Sequence, residues 1–231
     1  MNGKRLSRRQ VLVGISMLSG GLGAGFVQPA SASAAPGQTG LAARRWAGRT
    51  TQNGWPVIGG AQVTSRVVEG SDVRMALRSG DVETVLLHVV RRFHYEIDTL
   101  KSGDIHGYTT DRTLVAPFES NYLSGTAIAI RARAYPTGSA GNLFPLELLV
   151  VRDILAECDG VVRWGGDDKD FPKEGHIQID LPPSADQLKR VAAKIRSWQA
   201  RPDRGAGTAV DPLAATRRAA AVAMERRQRA A

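Results

Sequence analysis

One cysteine, four histidines and no apolar run long enough for a membrane span set the first limits on this 231-residue chain. The lone Cys158 excludes an intrachain disulfide and any cysteine-based metal cluster. It falls in Ile154-Leu155-Ala156-Glu157-Cys158, on a predicted helix, where an inert buried thiol is the ordinary outcome. No internal repeat or heptad pattern runs through the chain. No phosphate-binding fingerprint surrounds Gly138, Gly165 or Gly166. No nucleophile elbow accompanies Ser120, Ser124, His176 and Asp167, so a Ser-His-Asp hydrolase finds no support. Asp167, Asp168 and Asp170 lack the regular spacing of a calcium loop.

What the sequence has in excess is positive charge, +9 in all, and its distribution matters more than its size. Lys4, Arg5, Arg8 and Arg9 contribute +4 before residue 34, and the tail from Arg201 carries seven arginines against Asp203, Asp211 and Glu225. The stretch between is close to neutral, so the domain has no nucleic-acid footprint. The basic N-terminus is followed by an apolar, glycine-interrupted run, Val11 to Phe26, too short to span a bilayer stably. Ala32-Ser33-Ala34 then supplies a small-residue cleavage site. With Ser7-Arg8-Arg9-Gln10-Val11-Leu12 at its head, this region reads as a twin-arginine signal peptide over residues 1–34. Arg8 and Arg9 would engage the twin-arginine translocase, and the mature chain would work outside the cytoplasm, in the cell wall or secreted, with no transmembrane span.

Residues 35–52 read as a linker, with order beginning near Asn53-Gly54-Trp55-Pro56. Arg74 to Leu77 is predicted as a strand. Asp81 is placed as the N-cap of a helix whose Val85, Leu86, Val89, Val90 and Phe93 keep helical spacing. Glu96 to Leu100 is expected to be extended and Lys101 to Tyr122 mostly loop. Gly125 to Arg131 has the small and β-branched character of a buried strand. A helix from Pro145 to about Cys158, strands at Val161–Trp164 and His176–Leu181, and a helix from a Ser184-x-x-Gln187 capping box to about Trp198 complete the pattern. The class is α+β: a small antiparallel sheet with about three packed helices over residues 53–200. Residues 201–231 form a basic tail, helical from Leu213 or disordered, with little apolar surface to dock.

Two segments carry more than fold. One is Ser120-Asn121-Tyr122-Leu123-Ser124-Gly125-Thr126-Ala127-Ile128-Ala129-Ile130. The other is Gly160-Val161-Val162-Arg163-Trp164-Gly165-Gly166-Asp167, followed by Glu174-Gly175-His176-Ile177-Gln178-Ile179. Together they resemble the zinc D-Ala-D-Ala carboxypeptidases and L-alanyl-D-glutamate endopeptidases that trim peptidoglycan stem peptides. The family pattern is Ser-x-His-x-x-Gly-x-Ala-x-Asp, then Trp-Gly-Gly, then an acid three residues before a His that opens a strand. Gly107-Tyr108 with Arg112 resembles the loop before the first motif, and the likeness spans about Asn53 to Pro182.

The resemblance implies a metallopeptidase-like fold, and it also implies a damaged site. The first ligand position holds Tyr122, the second Ala129, and only His176 is kept. The catalytic acid's position holds Lys173; Glu174 is adjacent but off by one, and Gln178 stands where many relatives have an acid. A catalytic zinc needs three protein ligands and an open position for water. Alanine offers no donor, and a tyrosine must lose a proton with a pKa near 10 to bind metal well. No zinc or other cofactor is therefore expected, and the chain is expected to be a non-catalytic binder of peptidoglycan or stem peptide. Its cleft would comprise Ser120, Tyr122, Ala129, Trp164, His176 and Gln178, with Glu174 the sole catalytic candidate. The alternative is an active zinc peptidase with a rearranged site built from Asp104, His106 and His176.

Overall fold

The computed structural model describes residues 42–201 and 210–230. The expected signal peptide, Arg8 and Arg9 included, lies outside the described residues. Among the described residues eight short strands and four α-helices follow one another in mixed order: β1 Arg44–Arg45, β2 Val63–Val67, β3 Arg74–Arg78, α1 Asp81–Glu96, β4 Ile105–His106, β5 Thr113–Leu114, β6 Ala127–Ile130, α2 Pro145–Glu157, β7 Val162–Trp164, β8 His176–Ile179, α3 Asp186–Gln199 and α4 Ala215–Arg229. A 3-10 helix, Pro117–Ser124, precedes β6. The fold is α+β with small antiparallel sheets. The main sheet has four strands in the order β4-β6-β8-β7, and β2-β3 and β1-β5 form two-stranded ladders.

The alternation of β6 and β8 organises everything else. Ile128 and Ile130 of β6 and Ile177 and Ile179 of β8 point into the main core. There they meet Val82, Val85, Leu86, Val89, Val90 and Phe93 of α1, none more than 3% exposed. Val151, Ile154 and Leu155 of α2 and Leu188, Val191 and Ile195 of α3 close the same core. The other side chains of the two strands, Ala127, Ala129, His176 and Gln178, leave the opposite face of the sheet. Two alanines on that face make room for what packs over them. Gly125, at φ 66, ends the 3-10 helix in a left-handed turn and starts β6. Gly175 lies so close to β6 that a Cβ there would stand 2.1 Å from the Ile130 carbonyl oxygen.

Several sequence expectations need correction. Gly80, at φ 96, and not Asp81, caps α1, and Asp81 is its first residue. Ala185 caps α3 with no side-chain bond, so the Ser184 box is not formed. Glu96 ends α1 and Ile97 is still right-handed, so no strand forms before Leu100. The stretch expected as loop carries β4, β5 and the 3-10 helix. Order begins before Asn53: Arg44 and Arg45 of the expected linker pair with Leu114 and Thr113. A strand unforeseen in the sequence, β2, pairs with β3 along its whole length.

The basic tail docks. Helix α4 packs on α2, burying Ala221, Met224 and Gln228. Its apolar face is narrow, and charge does the rest: Arg217 forks onto Asp153 (2.8 and 2.6 Å) and reaches Glu157 at 3.1 Å. Gln228 donates to the Val162 carbonyl at 2.6 Å, covering the outer edge of β7. Among the described residues no helix is long and apolar enough to cross a membrane.

Candidate functional site

Pairing across the sheet puts His106, Ala129 and His176 in one row, since His106 and His176 are both register partners of Ala129. Ala127 and Gln178 form the next row. The 3-10 helix lays Tyr122 over the alanines, and Tyr122, Ala127 and Ala129 form a small apolar cluster of their own. The His176 ring is met edge to face by Tyr122 (centroids 5.3 Å apart) and at a tilt by Phe118 at 4.4 Å. Tyr122, Ala129 and His176, read from the sequence as the three positions of a lost metal site, therefore converge in space.

Their hydrogen bonds form one directed chain. The Tyr122 hydroxyl is 2.7 Å from His176 Nδ1, and His176 Nε2 is 2.9 Å from Gln178 Oε1. Asn121 Nδ2 donates to the same Gln178 oxygen at 2.7 Å. Burial lowers the His176 pKa to about 4, a shift that the nearby Lys173 charge reinforces against the Gln178 bond. Burial, and secondarily Glu119, raises the Tyr122 hydroxyl well above its usual 10. Both groups are neutral at pH 7, which fixes the roles: Tyr122 O–H donates to Nδ1, and Nε2–H donates to Gln178. Every polar atom on the imidazole has a protein partner.

A buried ion pair stands beside this chain. Lys173 Nζ lies 2.6 Å from Glu119 Oε1 and 5.6 Å from the Tyr122 ring centroid. Glu119 also accepts from the backbone N–H groups of Val115 (2.7 Å) and Ala116 (3.3 Å) and from the Thr137 hydroxyl. Burial alone would raise the Glu119 pKa. The bond and charge of Lys173 and the two amides outweigh it and hold the carboxyl below its ordinary value. Above these groups opens a cleft of about 490 Å³, with Tyr122 and Glu119 at its floor and Arg74, His106, Tyr108 and Asp111 around its walls. Tyr108 is fixed by its N–H to the Ala76 carbonyl and by its hydroxyl to the Ile58 carbonyl.

Of the residues expected in the cleft only Tyr122 lines it; Ala129, His176 and Gln178 are buried, and the others lie elsewhere. Ser120 is fully buried, its hydroxyl spent on the Pro117 carbonyl and the Gln52 N–H. Trp164 is a core residue: its indole donates to the Glu174 carbonyl at 2.7 Å and the Arg152 guanidinium stacks on it. Glu174, the one catalytic candidate, clamps the backbone N–H groups of Gly141 and Asn142, both at 2.8 Å. A buried carboxylate so engaged is a loop anchor. Asp104 accepts from the Lys101 N–H and pairs with Arg131. The residues the sequence did not single out are Glu119, Phe118 and Asn121. Asn121 lies inside the motif already quoted and Phe118 and Glu119 lie just before it, so nearness to Tyr122 in the chain was the available signal.

Zinc does not fit here. Both His176 nitrogens are committed, Ala129 has no donor, Tyr122 resists ionisation, and the Lys173 ammonium sits where a second cation would be repelled. Among the described residues no group of three histidine, cysteine or acidic side chains is placed to hold a metal ion, the Asp104, His106, His176 set included. No protein-family model, curated protein or solved structure matches the chain.

Proposed function

We propose that this chain is an exported cell-envelope protein with a peptidoglycan-peptidase-like fold that has exchanged its zinc site for a closed polar core. On this reading it binds peptidoglycan or a stem peptide without cleaving it. The observation that supports the reading is the coincidence of positions. The three residues aligned with the family's ligands meet on one sheet face, and a complete hydrogen-bond chain occupies that place. Drift alone would leave buried polar atoms unpaired there, at about 1–3 kcal/mol each. Instead Tyr122, Gln178 and Asn121 satisfy one another around His176. The acid position of the family holds a lysine, and that lysine has acquired Glu119 as counter-ion.

The cleft above Tyr122 would hold the ligand, and its walls offer what a peptide backbone needs: hydroxyls at Thr109 and Thr113, a ring at Tyr108 and charges of both signs at Arg74 and Asp111. The export route rests on the twin-arginine segment, and Arg8→Lys with Arg9→Lys should retain the chain inside the cell. The test of function is incubation of the purified protein with a free stem pentapeptide ending in D-Ala-D-Ala. Saturable binding, an intact peptide and no zinc by elemental analysis are expected. Stoichiometric zinc together with hydrolysis, both lost in His176→Ala, would overturn the proposal.

A further inference from the structure

Next to the cleft, and sharing Leu114 with it, is a second hollow of about 390 Å³ between residues 44–48 and 114–117. Its walls come from the β1-β5 ladder, which runs Arg44 against Leu114 and Arg45 against Thr113 and continues through the Trp46 N–H to the Arg112 carbonyl at 2.8 Å. Successive side chains of a strand leave on opposite faces. Arg44 and Trp46 thus leave on the Leu114 face, while Arg45 leaves with Thr113, near enough to Asp111 to help hold that carboxyl below its ordinary value, behind the Thr113 hydrogen bonds, and still borders the hollow. The segment is braced from below: Arg112 Nη1 donates to the carbonyls of Trp46 and Gly48 at 3.2 and 3.1 Å. Among the described residues Arg44 has no ion-pair partner. The Arg44 guanidinium and the Trp46 indole therefore stand, with Arg45 beside them, at the rim of a pocket whose floor, Leu114, Ala116 and Pro117, is apolar.

We propose that this hollow is a second binding site that takes a carboxylate carried next to an apolar group, from the same peptide whose body lies in the cleft. The carboxylate pairs with Arg44, whose planar fork matches it, and the neighbouring hydrocarbon rests on Trp46 and Leu114. Arg45 at the same rim already interacts with Asp111, which leaves the Arg44 guanidinium to meet one negative charge. Asp111 on the other side of the ladder turns acidic groups away from the cleft mouth and towards Arg44. The identity of the ligand rests on the peptide-binding reading above; the site itself does not.

The experiment separates the two. N-acetylglutamate, added to the ¹⁵N-labelled full-length protein, should shift the amides of Leu114, Val115 and Ala116, and Arg44→Gln should abolish the shifts while leaving the rest of the spectrum unchanged. The stem pentapeptide should bind the wild type about five- to tenfold more tightly than its fully amidated form, the size of one charge-assisted contact. Arg44→Gln should erase that difference. Equal binding of both forms, unaffected by Arg44→Gln, overturns the second site and leaves the peptide reading intact. N-acetylglutamate binding at residues 114–116 without any pentapeptide binding overturns the peptide reading and keeps the site. Inorganic phosphate competing as well as N-acetylglutamate overturns the carboxylate assignment.

Discussion

His176 should make the stability of this protein depend on pH in a window where carboxylates contribute little. The imidazole is 1% exposed and neutral, with an N–H donated on one side and an O–H accepted on the other. Protonation would put a charge in the sheet face beside Lys173 and set an N–H against the Tyr122 hydroxyl, which must then turn its proton elsewhere. Its pKa accordingly falls from 6.5 to about 4. A depressed histidine pKa means that the unfolded chain takes up a proton the folded chain refuses. The stabilising contribution is present above pH 6.5 and is lost progressively as pH falls towards 4. The gap corresponds to roughly 3 kcal/mol at 1.36 kcal/mol per pKa unit, or about 6–12 °C in Tm for a domain of this size.

His88 is also depressed by burial, so the wild-type curve alone is not diagnostic. The comparison is with His176→Gln, which costs stability at every pH but removes this titration. Urea unfolding of both proteins at intervals from pH 7 to 4 gives two curves. They should converge on acidification, the wild type losing about 3 kcal/mol more than the variant. Parallel curves would refute the buried neutral imidazole, as would an imidazole ¹⁵N titration with a midpoint near 6.5.

Tyr122→Phe leaves Nδ1 of His176 without a donor and should cost about 1–3 kcal/mol by chemical denaturation, with the His176 pKa rising towards 6.5. Lys173→Met strips a buried carboxylate of its cation and should cost about 3–5 kcal/mol, part of which Glu119→Gln in the same chain should recover. Arg217→Ala should raise amide exchange across residues 215–229 well before β6 or β8 is affected, because that arginine ties α4 to both Asp153 and Glu157 of α2 and the apolar face beneath is narrow. Cys158, whose thiol burial pushes up to about 12, should resist an aromatic disulfide reagent at pH 8 until the protein is unfolded.

Those residues also mark how far the sequence is legible. Helices α1, α2 and α3 were readable because each buries a stripe with helical period, and β6 and β8 because small and β-branched residues alternate there. The caps were not, since Ser and Asp signals next to Gly80 and Ala185 compete with backbone geometry that only the packed chain decides. Strand β2 has only two apolar side chains, Val63 and Val67, in its Val-Thr-Ser-Arg-Val run and neither is fully buried, so its pairing with β3 leaves little hydrophobic trace. Helix α4 was expected to stay loose for want of apolar surface. What seats it is the acid pair Asp153 and Glu157 on α2, and partners brought together from 60 residues apart carry no local pattern.

For the site, position was legible and chemistry was half legible. Alignment with a family pattern finds Tyr122, Ala129 and His176, and the three do converge on one sheet face. Seen as a list of losses, however, each substitution is only a missing ligand. In three dimensions the substitutions depend on one another. A tyrosine at 122 supplies the proton that Nδ1 of His176 would lack without a metal, and an alanine at 129 leaves the room its ring needs. A glutamine at 178 accepts from Nε2, where a carboxylate would draw a second proton onto the imidazole. Lysine at 173 then has a partner in Glu119, a residue the family pattern does not mention. Placing a histidine at 122 or an aspartate at 129 singly would therefore not create a metal site. Ala129→Asp would bury a charge against the Tyr122 ring, and Tyr122→His would put a shorter ring in place of the hydroxyl that donates to His176 Nδ1, each a loss of stability with no gain in zinc affinity.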